Sequence, residues 1–110
     1  MRLVVGCVLA VGILAMGAGR DPIGAARAAA DPAEGRALAE RWCAACHLVS
    51  PEQATAMDGV PSFREIAERE DLDPRALAYY LVLPHPPMPD MALSRREIDA
   101  LVAYIETLGD

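Results

Sequence analysis

Two regimes of hydrophobicity divide the chain. After Arg2, the residues from Leu3 to Gly19 are apolar without interruption, and the adjacent charges Arg20 and Asp21 end the run. From Asp31 onward apolar residues instead recur every three or four positions among polar ones, the spacing of helices that each bury one face. No stretch of this second part alternates strictly or gathers β-branched residues, so the pattern predicts an all-α fold.

Start and stop signals divide that part into four helices. The first opens with Asp31 as N-cap, Pro32 at the first helical position and Glu34 at the third. It runs to about Cys43 with Gly35, Leu38 and Trp42 facing inward. Ser62 with Glu65 forms a capping box for a short second helix carrying Phe63, Ile66 and Ala67, and Asp73-Pro74 starts a third with Leu77, Tyr80 and Leu81 on one face. Ser94 with Glu97 caps a last helix, whose Ile98, Leu101, Val102, Ile105 and Leu108 share a face and which stops near Gly109. Between the first two helices, Leu48 to Val60 is a thirteen-residue stretch without periodicity, long enough to be expected to wrap something. Pro84-His85-Pro86-Pro87-Met88-Pro89 has four prolines in six residues and is expected to be a stiff extended strap.

The leading apolar run changes the picture of the chain's destination. With Ala28-Ala29-Ala30 as small residues at a cleavage site, residues 1–30 are expected to be a signal peptide and Asp31 the first mature residue, which places the protein in the periplasm. An uncleaved anchor on the periplasmic face is the alternative, because the run is at the low edge of what spans a bilayer. What remains, residues 31–110, is one domain of 80 residues, a size that usually needs a disulfide, metal, cofactor or partner to be stable. Its seven arginines face fifteen carboxylates, a net charge of −8, and the chain has no lysine. Such a surface argues against nucleic acid and anionic lipid. It favours a partner protein with a basic or an apolar docking patch.

Candidate chemistry is concentrated in Cys43-Ala44-Ala45-Cys46-His47, the C-x-x-C-H pattern of covalent haem attachment. Two thiols two residues apart at a helix end can reach two vinyl groups on one porphyrin edge, and the next residue carries an imidazole under the ring. Three other readings compete. Zinc would need two further ligands where only His85 is on offer; a thioredoxin-like pair would follow a strand; and a plain disulfide leaves His47 without a role. Cys7, inside the apolar run, is read as incidental.

With these residues in place the chain resembles the class I cytochromes c over essentially all of its mature part. The resemblance implies a small all-α cytochrome c fold around one covalent haem c, with His47 as one axial ligand of the iron and a methionine from the loop before the last helix as the other. Gly35 matches the family's small residue at the crossing of the first and last helices, and Leu101 and Tyr104 match the residues that cover it. Ala39 departs from the family, many of whose members carry an aromatic there, a space Trp42 is expected to fill. Met88, preceding Pro89 and six residues before the Ser94 cap, matches the ligand strap, with His85 and Met91 as rivals. A proline carbonyl in the long loop is implied as the acceptor of the axial histidine's Nδ1 proton, Pro61 before Pro51. The implied function is electron transfer between periplasmic or membrane redox proteins, without an enzymatic reaction. Rival functions are a haem-based small-ligand binder or sensor, and the haem subunit of a larger dehydrogenase complex.

Overall fold

The computed structural model describes residues 29–83 and 87–110. Residues 1–28 of the expected signal segment, and His85, therefore lie outside the described residues. Regular structure among the described residues is helical: α1 (Pro32–Trp42), α2 (Phe63–Ala67), α3 (Pro74–Val82) and α4 (Arg95–Glu106). No helix among them is long and apolar enough to cross a membrane.

Each helix starts where side-chain chemistry favours it. Ser62 and Ser94 form full capping boxes with Glu65 and Glu97, each serine oxygen accepting the third residue's N–H while the glutamate accepts the serine N–H. Asp31 and Asp73 cap α1 and α3 by accepting from Ala33 and Arg75, with Pro32 and Pro74 at the first helical positions. Glu34 does not complete the expected box at α1. Its carboxylate instead accepts from Arg96 of α4 at 3.0 Å, so the charge at the start of α1 is spent on the helix that crosses it.

The core lies where α1 crosses α4. A Cβ on Gly35 would stand 2.0 Å from the Ala100 carbonyl oxygen and 2.8 Å from the Tyr104 Cβ, closer than any side chain could come. Ala39 and Cys43 continue that face of α1, against Leu101, Tyr104 and Ile105, with Val49 and Phe63 closing the cluster. The inward stripe of α1 is thus Gly35, Ala39 and Cys43, with Leu38 half-buried against the core as expected and Trp42 outside it. Trp42 is 53% exposed and does not fill the space at Ala39, which is fully buried. On α4 the buried set gains Ala100 and Tyr104, while Leu108 is only half-buried. At the far end, Arg64 donates to the Leu108 carbonyl at 3.1 Å, tying α2 to the last turn of the chain.

Candidate functional site

The end of α1 sets up the site. Cys43 is its C-cap, and the Cys43 carbonyl accepts the N–H groups of both Cys46 (3.1 Å) and His47 (2.9 Å), folding the five-residue motif into one tight turn. Cys46 and His47 are thereby brought to the same side as Cys43, and all three border an apolar cavity of about 380 Å³. The long loop returns to close it: Met57 donates its N–H to the Cys46 carbonyl at 3.1 Å, and Phe63 its own to that of Leu48 at 2.9 Å. Gly59, at φ +77°, supplies the left-handed turn between these points, a conformation that side-chain-bearing residues disfavour.

His47 is held by its ring as well as its backbone. Its Nδ1 lies 2.6 Å from the Pro61 carbonyl oxygen, which selects Pro61 over Pro51. A carbonyl can only accept, so Nδ1 carries the proton and Nε2 keeps its lone pair free for a metal. The ring leans on Phe63 with centroids 5.4 Å apart, and Phe63 in turn leans on Tyr104 at 6.5 Å. Burial pushes the Tyr104 phenol above its ordinary value, so the hydroxyl stays protonated and donates to the Val49 carbonyl at 2.7 Å. The last helix thus braces the backbone two residues past His47.

Further wall comes from the strap. Pro87, Met88, Pro89 and Met91 all border the cavity, and both methionines are half-buried. After them the chain turns into α4 through Ala92, whose φ of +51° is stabilised by an Asp90 carboxylate accepting the Ala92 N–H at 2.8 Å. Trp42 and Met57, which the sequence pattern did not place together, form further apolar wall. Trp42 could have been found by asking which face of α1 follows Cys46 rather than Gly35.

These features fit the group that the motif predicts. Two thiols, one imidazole with a committed tautomer, methionine thioethers and otherwise apolar walls in one cavity form a donor set that would suit a thioether-linked porphyrin. Burial, with the neighbouring Cys46, pushes the Cys43 thiol up to about 11, so it is a neutral thiol at physiological pH in the absence of a bound group. Among the described residues no group of three or more His, Cys, Asp or Glu side chains is placed to share a metal ion.

Comparison with known proteins bears on the same residues. Residues 30–105 match the family described as cytochrome C oxidase, cbb3-type, subunit III. The chain is 49% identical over 80 residues to a cytochrome c-552 of Bradyrhizobium diazoefficiens, covering 73% of this chain and 77% of the relative. No solved structure gives a significant match.

Proposed function

Since the chain belongs to the class I c-type cytochromes, haem proteins of electron transfer that carry covalent haem c, we propose that Cys43 and Cys46 anchor its haem and that His47 and Met88 hold the iron. The observation that carries this reading is the His47 imidazole, fixed by Pro61 with Nε2 free, bordering one apolar cavity together with Cys43, Cys46 and the methionine strap. When bound, the haem iron supplies a one-electron couple.

The chain's own residues do the rest. The two thiols fix the ring edge to the end of α1. His47 donates Nδ1–H to Pro61, which keeps the imidazole in one tautomer and raises its basicity as a ligand. Met88 contributes a soft thioether that favours the reduced state relative to a second histidine. It is preferred to Met91 because it stands between Pro87 and Pro89, where the stiff backbone lowers the entropy cost of holding a weak ligand. Trp42, Met57 and Val60 keep water off the cavity walls. With His47 and Met88 both holding the iron, no position would remain for a substrate, so the protein would act as a carrier without a reaction of its own. Residues 1–30 serve as its export signal and 31–110 as the carrier domain, in the periplasm. Its partners are redox proteins with a basic or apolar docking patch, and the matched family's description makes a terminal oxidase the first acceptor to test.

The test compares two variants of the holoprotein. Met88→Ala should abolish the far-red ferric band that marks sulfur ligation, lower the reduction potential, and let carbon monoxide bind rapidly. Met91→Ala should retain the band and lose about 1 to 2 kcal/mol of stability, part of the usual cost because the side chain is half-buried. Loss of the band in Met91→Ala alone would move the ligand by three residues, and a wild type that lacks the band and binds carbon monoxide at once would be a sensor instead.

A further inference from the structure

We propose that Gln53 is a positioning residue for His47, an inference that rests on His47 being an axial ligand. The Gln53 amide nitrogen lies 2.9 Å from the Ala44 carbonyl oxygen, 2.9 Å from that of His47 and 2.8 Å from that of Thr55. Its Oε1 accepts the Val49 N–H at 3.0 Å. One half-buried side chain therefore meets backbone groups before, at and after His47, in a segment where α1 has ended and helical partners are gone. Among the described residues no backbone N–H meets the Ala44 or His47 carbonyl. With two N–H groups serving three oxygens, at least one of these bonds is shared, and the side chain has no unused donor.

The placement has a consequence for the imidazole. Pro61 fixes the ring at Nδ1, but it does so from the far end of the loop, and its reach depends on how the loop turns back. Gln53 sets that turn, because it bonds both the motif (Ala44, His47) and the loop beyond it (Thr55). The backbone of His47 is held by Gln53 and its ring by Pro61, so the ring plane is defined by two anchors on one loop. A plain loop staple would affect stability alone, whereas a positioning role requires the imidazole to respond.

Gln53→Ala and Gln53→Glu in the full-length holoprotein separate the two. Glutamate keeps the size and the acceptor for Val49 but lacks the N–H donors, so it should do no better than alanine. Both variants should keep haem against acidified solvent. In both, exchange of the His47 Nδ1 proton in the ferrous protein should quicken by about tenfold or more, the effect of losing one or two net hydrogen bonds. The spread of haem-methyl shifts in the ferric protein, which reports the imidazole plane, should change with it. If both variants lower the denaturation midpoint while proton exchange and methyl shifts stay at wild-type values, the proposal is overturned, as it is if Gln53→Glu restores the wild-type pattern. Should Gln53→Ala fail to accumulate, Gln53→Glu alone is judged by these same outcomes. Wild-type spectra without a coordinated histidine would instead overturn the underlying assignment of His47.

Discussion

Gly35 is the residue with the least freedom to change. A methyl group there would meet a backbone carbonyl of α4 at 2.0 Å, and a backbone atom cannot rotate away as a side chain can. Gly35→Ala should therefore separate the two helices and cost about 3 kcal/mol or more, the upper range for overpacking, read as a lower guanidinium midpoint of the holoprotein. Its role was legible in the sequence through the resemblance, as were the motif residues. Trp42 was not. A 3.6-residue period marks a helix face but cannot tell a face covered by protein from one turned to a cofactor cavity, and on α1 the two faces adjoin, with Cys43 on the first and Trp42 on the second. Gln53 was illegible for another reason: its partners are backbone groups up to nine residues away, and no spacing rule encodes a side chain that bonds an irregular loop.

At the scale of elements, the four helices fell where the capping residues put them, because a cap is a local interaction between neighbours in sequence. The exception, Glu34, was taken by a partner 62 residues away that local signals do not show. Caps also carry a pH dependence. Hydrogen bonds from Ser62 and Ser94 hold the Glu65 and Glu97 carboxyls below their ordinary value, so each contributes stability that is complete above the unfolded carboxylate value and is lost as pH falls through the lower, folded one. Glu97→Gln should accordingly flatten the loss of stability between pH 5 and 3, measured by denaturant midpoints at the two pH values, relative to wild type. Ser94→Ala should cost about 1 kcal/mol at neutral pH, since it removes the acceptor for the Glu97 N–H. The strap illustrates the remaining limit of the sequence. Four prolines announce an extended segment, yet among its described residues Met88 and Met91 both border the cavity, and ligation spectra must separate them.

The whole molecule is acidic, and its ion pairs, such as Arg36 with Glu40 and Glu52, consume part of a small supply of arginine. Electron transfer to a partner with a basic patch should therefore slow as salt rises, since screening cuts the range of attraction to about 8 Å at physiological ionic strength; a rate indifferent to salt would indicate an apolar docking patch. The intact mass of the purified holoprotein should equal a chain starting at Asp31 plus one haem, and a mass retaining Leu3 to Gly19 would mean an anchored carrier. The crossing of α1 and α4 also sets an order of events. Cys43, 5% exposed, is enclosed by Leu101, Tyr104 and Ile105, all on α4, which follows the motif in the chain. A chain that closes before its thioethers form would enclose the Cys43 sulfur in that core, where burial keeps it a neutral thiol. Thioether formation is then expected to compete with the docking of α4, so the yield of holoprotein should fall when that helix closes first.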